Sequence, residues 1–448
     1  MSDKRNIIVW SWSREPSLVP VGRLVDEGLV DVVLWVSMLE GKDFLTKTFS
    51  YIPSLMLDEL DELARRSDVY YRQDADQLTR DVAKFIDVYS RVNNAKGKDY
   101  FEHLNLFHLY YQYFTNLLIT RKVDAVLYFG APHVGVDYIL YLAARALGVE
   151  TVVMFQSFVP NRFFSVRTLE DYGTFDEHRH LGEPVELTIP RGHEKKHFYM
   201  SKIKNKRSLQ LHKFFEDCLR ATFPSRQPLS WTGVWQNMGK RWDYRRNYSR
   251  YVSADVDLSK KFVYFPLQMQ PELTTTILGK EYSDQLLAIE RLSAMLPEDW
   301  YIYVKENPKQ GQHQRGAEFY HRLSRIPNSV YVDITIDTYD LMRASQFVAS
   351  VTGTACWESI TGGKPAMIFG QIWYMSYPGI TVYREGLTVD DVMGNTFTHE
   401  ELERAHSELH ARSIPGIMGM SYAAIYPEYD EQVNQNLLTD YLKRVLGL

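Results

Sequence analysis

The chain has 448 residues, of which 45% are hydrophobic and 24% charged, with a formal net charge of −5. That length and apolar content are enough for two α/β domains and exclude a disordered or fibrous chain. The mild negative charge excludes nucleic acid as the expected main partner. The two cysteines, Cys218 and Cys356, exclude a disulfide framework or zinc motif, so a reducing, cytoplasmic setting is expected.

The N-terminal residues lack the apolar core of a signal peptide and lead into a predicted strand over 7–10. No apolar run is long enough to span a bilayer. The loop after the first strand carries Arg14 and Glu15, and a second strand is predicted over 32–37. Helical periodicity dominates 57–122, including an aromatic, largely buried helix over 101–113. A βαβ unit follows, with a strand over 124–130, a helix over 138–147 and a strand over 151–155. Gly148 sits where a helix C-terminus needs a left-handed residue. Strands alternating with helices of this length imply a parallel, doubly wound sheet.

The middle section, 191–250, is basic. Trp231, Trp235, Trp242, Tyr244 and Tyr248 are interleaved with Lys240, Arg241, Arg245 and Arg246. It reads either as a surface for anionic lipid or anionic glycan, or as a linker whose helices pack aromatics on a neighbouring domain. A second α/β half begins near 260. Its predicted strands cover 262–267, 300–304, 330–332, 347–351 and 366–369, with helices over 283–295 and 337–344. The expected domains are therefore 1–255, including the basic section, and 256–448, including a terminal helix.

In a parallel sheet, ligands bind beyond the carboxyl ends of the strands. The groups expected there are Gln268, Gln270, Lys305, Asn307, Thr352, Gly353, Thr354 and Glu358, with Gln371 as a further candidate. Thr352-Gly353-Thr354 supplies a small turn and a helix start, which suits a phosphate. Glu358 follows one turn later, placed to accept hydrogen bonds from ribose hydroxyls. A Gly362-Gly363 helix end and Lys364-Pro365 then lead into the next strand.

Three segments carry a resemblance: Phe265-Pro-Leu-Gln268-Met-Gln270-Pro271-Glu272, Lys305-Glu-Asn-Pro308, and Thr352-Gly-Thr-Ala-Cys-Trp-Glu358 with Gly362-Gly-Lys-Pro365. They resemble the bacterial capsule-polysaccharide biosynthesis family, which includes Kdo transferases. Phe129-Gly-Ala-Pro132-His133 and Pro160-Asn-Arg162 in the first half are similar to the same family. The resemblance implies a GT-B fold: two facing Rossmann-like domains with a cleft, a nucleotide-sugar donor in the C-terminal domain, a glycan acceptor and no catalytic metal or cofactor. Members often carry His-Pro where this chain has Asn307-Pro308. That histidine helps hold the nucleotide of CMP-activated sugars, so the departure argues against a CMP donor.

The reaction implied is displacement at an anomeric carbon. An inverting enzyme needs a general base, for which His133 is the first candidate with Asp137 four residues on. If the segment from Pro132 is helical, the two share a face and the carboxylate orients the imidazole. Glu15 and Asp31 are weaker candidates, and Asp137 is the nucleophile of a retaining alternative. Three other readings remain at this level: a nucleotide-sugar epimerase, a CDP-polyol phosphotransferase and a non-catalytic polysaccharide-binding protein. Peripheral attachment to a membrane through 191–250 is a further expectation.

Overall fold

Short apolar strands joined by helices of ten residues or more pair in parallel, because each crossover returns the chain to the same end of the sheet. The computed structural model of the chain describes residues 4–11, 14–37, 54–66, 75–90, 99–157, 159, 161–176, 184–191, 206–222, 230–270, 272–310, 315–419, 423 and 426–448, and contains two such sheets. In chain order the strands are β1 (Arg5–Ser11), β2 (Val30–Ser37), β3 (Ser54–Met56), β4 (Ala125–Phe129), β5 (Glu150–Gln156), β6 (Arg162–Val166), β7 (Phe262–Pro266), β8 (Tyr301–Lys305), β9 (Ser329–Val332), β10 (Phe347–Ser350), β11 (Ala366–Ile368), β12 (Ile380–Val382) and β13 (Ile414–Pro415).

The first sheet runs β13-β6-β5-β4-β1-β2-β3. It is parallel from β5 to β3, and β6 and β13 form an antiparallel edge. The second runs β12-β11-β10-β7-β8-β9 and is parallel throughout. Counted from β7, this is the order 3-2-1-4-5-6 of dinucleotide-binding folds. The two α/β, doubly wound domains expected from the sequence are present.

The long helical stretch resolves into Leu57–Arg66, Ala75–Tyr89 and Tyr100–Thr120. In the last, Phe107, Tyr110 and Phe114 are buried at three- and four-residue spacing, while Phe101 faces solvent. Its start is fixed by a capping box between Asp99 and Glu102.

The domain boundaries differ from those expected. One compact unit comprises Met1–Glu186 with Ser407–Leu448, and the other Leu187–His406. The division falls within the helix His399–Arg412. Burial explains both departures. The helix Trp231–Tyr251 packs Tyr244, Tyr248 and Tyr251 on the core of the second unit, and the Tyr248 hydroxyl also accepts the Ile334 N–H at 2.9 Å. The terminal helix Glu431–Val445 contributes Leu438, Tyr441 and Leu442 to the first unit's core, the cluster that also holds Ile7, Val9 and Met154.

This docking makes a prediction. Leu442 has no exposed surface and Val433, on the same helix, is half exposed. Leu442→Ala should destabilise the first unit by about 2–5 kcal/mol. Val433→Ala should stay within about 0.5 kcal/mol of the parent in chemical denaturation. Equal effects would contradict the return of this helix to the first core.

Candidate functional site

In the second sheet the strand order reverses between β7 and β10, which opens a crevice at their carboxyl ends. Gln268 follows β7, and Thr352-Gly353 follows β10. The Gln268 Oε1 accepts the Thr352 N–H at 2.8 Å, and its Nε2 donates to the Thr352 hydroxyl at 2.9 Å. That hydroxyl in turn donates to the Thr274 carbonyl at 2.9 Å. Gln268 and Thr352 thus clamp the two strand ends together. Gly353 is the N-cap of the helix Thr354–Thr361, and no side chain caps that helix. A Cβ at Gly353 would lie 2.6 Å from the Ser350 Oγ, so a larger residue there would displace the Ser350 hydroxyl. Thr354 takes the first helical position.

Lys305 and Glu358 meet on one short turn. The Lys305 ammonium, 6% exposed, donates to the Thr338 hydroxyl at 2.8 Å and to the Ile336 carbonyl. Burial lowers its pKa to about 8, opposed by the charges of Asp337 and Asp333. Burial raises the Glu358 pKa to about 7, opposed by a hydrogen bond from Tyr339. Thr338 and Tyr339 open the helix Thr338–Ala344, whose start is held by the Asp337 carboxylate on the Tyr339 and Asp340 amides. The buried Tyr264 hydroxyl bonds with Thr338 and feels the charge of Glu358. An ammonium with one N–H left over therefore lies at the carboxyl end of β8, and an uncapped helix start that carries a carboxyl poised near neutrality follows β10, with β7 between the two strands.

Gln270 and Asn307 take a different part from the one expected. The Gln270 carboxamide oxygen accepts from Gln285 Nε2 at 2.7 Å and Arg315 Nη1 at 3.1 Å, and its nitrogen donates to the Ser283 carbonyl. Asn307 Oδ1 accepts the Lys309 N–H at 2.9 Å, forming a turn. Both side chains shape loops. Gln371 lines a separate cavity of about 440 Å³ with Tyr282, Arg291, Tyr383 and Arg384.

Sequence reasoning missed the group that holds these loops. The Arg315 and Glu306 side chains are fully buried, with Nε 2.7 Å from Oε2. Arg315 also donates to the Gln268 carbonyl at 3.3 Å, and Glu306 accepts from the Asn307 N–H at 2.9 Å and the Tyr331 hydroxyl at 3.3 Å. Glu306 was visible as the residue after a strand. Arg315 lies in a polar stretch with no periodicity, and nothing in the sequence marks it.

The first sheet also reverses its order, between β1 and β4, and His133 follows β4. The expected pairing of its imidazole with Asp137 is corrected here. The helix starts at Val136, not Pro132, because Gly135 adopts φ +95°, where a Cβ would press on Phe85 and Tyr89. Asp137 is fully buried, and its carboxylate accepts the backbone N–H groups of His133 at 2.6 Å, Val134 at 3.0 Å and Tyr138 at 2.8 Å. Burial raises its pKa, against the pull of these amides and of His133. A carboxylate so enclosed has no path to a sugar, which removes the nucleophile role.

The His133 Nδ1 instead lies 2.7 Å from the Ala131 carbonyl. A proton on Nδ1 leaves the lone pair on Nε2. Glu15 belongs to the helix Arg14–Asp26, with its side chain outside the described residues. Asp31 is exposed and pairs with Lys4 at 3.2 Å. Among the described residues, no three His, Cys, Asp or Glu side chains gather as metal ligands.

No family model matches the chain, and no curated protein matches it. Among solved structures, the chain is similar to the beta Kdo 2,7 transferase KpsC of Thermosulfurimonas dismutans at 12% identity, over 92% of this chain and 90% of that one, with a TM-score of 0.31. It is similar to MurG of Acinetobacter baumannii at 14% identity, over 97% and 99%, with a TM-score of 0.25. A UDP-GlcNAc 2-epimerase of Methanocaldococcus jannaschii is similar at 10% identity, over 99% of both chains, with a TM-score of 0.24. These are likenesses of architecture, and they assign neither substrate nor reaction to this chain.

Proposed function

We propose that this chain is a GT-B glycosyltransferase that moves a sugar from a nucleotide-sugar donor to a glycan acceptor of a surface polysaccharide. The observation that carries this reading is the helix start Thr338-Tyr339, which links Lys305 to Glu358, a residue of the helix that begins uncapped at Gly353. Lys305 and the first amides of that helix face the diphosphate. Glu358 accepts hydrogen bonds from the ribose.

As the bond from the anomeric carbon to the donor phosphate breaks, the nucleotide leaves with the electron pair. Its charge is met by Lys305 and the helix start, so this reading asks for no metal. The acceptor hydroxyl gives its proton to a general base, for which His133 is the candidate, as its oxygen bonds the anomeric carbon with inversion. A thermal-shift screen of nucleotides and nucleotide sugars tests the donor reading. A ligand at a hundred times its Kd should stabilise by about 2.7 kcal/mol. Consumption of donor to a free epimer without acceptor would replace the transferase by an epimerase.

The titrations predict a bell-shaped pH dependence of nucleoside-diphosphate affinity. Glu358 becomes an acceptor as pH rises through about 7, and Lys305 loses its charge as pH rises through about 8. Affinity should climb through the first value and fall through the second in calorimetry. Glu358→Gln should flatten the acid limb and Lys305→Arg the alkaline one. The plain nucleoside should show the acid limb alone. Glu358→Ala should cost about 1.5–3 kcal/mol of nucleotide affinity. Lys305→Ala should weaken the diphosphate and spare the nucleoside.

On the acceptor side, His133→Ala should lower kcat by about 10²–10⁴-fold with nucleotide affinity unchanged. Asp137→Asn should act on stability instead, by about 1–3 kcal/mol, because a carboxamide NH₂ would face backbone donors. Near-normal turnover of the His133 variant at saturating acceptor would remove it from the mechanism.

A further inference from the structure

The helix Trp231–Tyr251 buries Val234 alone among its residues. Trp231, Trp235 and Trp242 are 53%, 60% and 60% exposed, and Met238 is 39% exposed. Their spacing of four, three and four places all of them within about 60° of the helix circumference. Tyr244, Tyr248 and Tyr251 take another side of the helix and pack on the second core. The stripe is thus a second apolar face with nothing packed over it among the described residues.

Cations flank this stripe. Arg245 and Arg246 are exposed on either side of it, and the Arg246 guanidinium sits 5.4 Å over the Trp242 ring. Lys240 and Arg250 are also exposed, against one exposed carboxylate, Asp243. The neighbouring helix Lys206–Thr222 is held by Asp217, which accepts from Arg241 at 2.8 Å, and it exposes Phe215 and Leu219. No described helix is long and apolar enough to cross a membrane.

We propose that this helix pair docks on an anionic lipid bilayer, with Trp231, Trp235, Met238 and Trp242 seated at headgroup depth. Indole rings favour that depth because one edge donates a hydrogen bond while the rest of the ring is apolar. The charge argument selects the partner. The chain as a whole carries −5, yet the two edges of the stripe expose Arg245 and Arg246, with Asp243 and Glu216 the exposed carboxylates of the helix pair among the described residues. An acidic surface attracts this face while repelling most of the rest. The stripe lies on the convex outside of a helix, and Arg245 and Arg246 line both of its edges, which fits a broad anionic surface. The proposal is independent of the donor-site reading.

The test is co-sedimentation of the full chain with vesicles of phosphatidylcholine alone, and with vesicles of which about a third is phosphatidylglycerol. Binding should be confined to the acidic vesicles and should fade between 0.1 M and 1 M salt, as the Debye length shrinks from about 10 Å to about 3 Å. Brominated acyl chains should quench part of the tryptophan fluorescence. Trp235→Ala with Trp242→Ala should weaken binding about ten-fold or more and reduce that quenching to the share of Trp231. Arg245→Glu with Arg246→Glu should weaken binding to a similar degree.

All four positions are exposed, so circular dichroism and melting temperature should match the parent. No binding to acidic vesicles at low salt would overturn the proposal. So would unchanged binding by the tryptophan variant. A dimer in sedimentation velocity that the tryptophan variant dissolves would overturn it in favour of a second copy. Heparin binding as tight as vesicle binding, with no quenching, would overturn it in favour of a soluble polyanion.

Discussion

The buried ion pair between Arg315 and Glu306 is the contact on which the second unit's site depends. Taking two charges out of water costs several kcal/mol per ion, and such pairs seldom add net stability. What this one adds is position. The Arg315 fork spans the Glu306 carboxylate, the Gln268 carbonyl and the Gln270 carboxamide. Glu306 fixes the first amide of the Asn307 turn. The loops after β7 and β8 are therefore joined before any ligand arrives. The nearby carboxylate holds the Arg315 pKa above its ordinary value despite burial, so the guanidinium keeps its charge.

Lys305 and Glu358 are arranged on the opposite principle. Burial pushes each toward its neutral form, and the surrounding hydrogen bonds and charges compensate only in part. Groups held in this way are costly to keep charged in the empty protein. Perturbed groups of this kind mark functional sites more often than structural ones. The strand alternation separates the two roles. Lys305 and Glu306 are neighbours on β8's end, so one turns to the helix Thr338–Ala344 and the other to Arg315.

In the first unit, the loop after β4 is held from inside by a single carboxylate on three amides, which makes Asp137 a positioning residue for His133. The imidazole takes its orientation from a carbonyl. A carbonyl fixes the tautomer as a carboxylate would.

The alternation of short apolar strands with helices determined the α/β class, because period and length limit how such segments pair. The same patterns located most strands to within a residue or two, and the turn at Thr352-Gly353-Thr354 was legible because small residues and a helix start share a local geometry. Lys305 and Glu358 could be named from sequence, since both follow buried strands. Only the tertiary structure showed that Thr338 and Tyr339 join them, and that Gln268 and Gln270 tie loops together. Hydrogen-bond partners tens of residues apart leave no local pattern. Arg315 was invisible for the same reason. The return of the terminal helix to the first unit, and the division of the Trp231 helix into packed tyrosines and bare tryptophans, were likewise decided by which apolar faces found a core to cover.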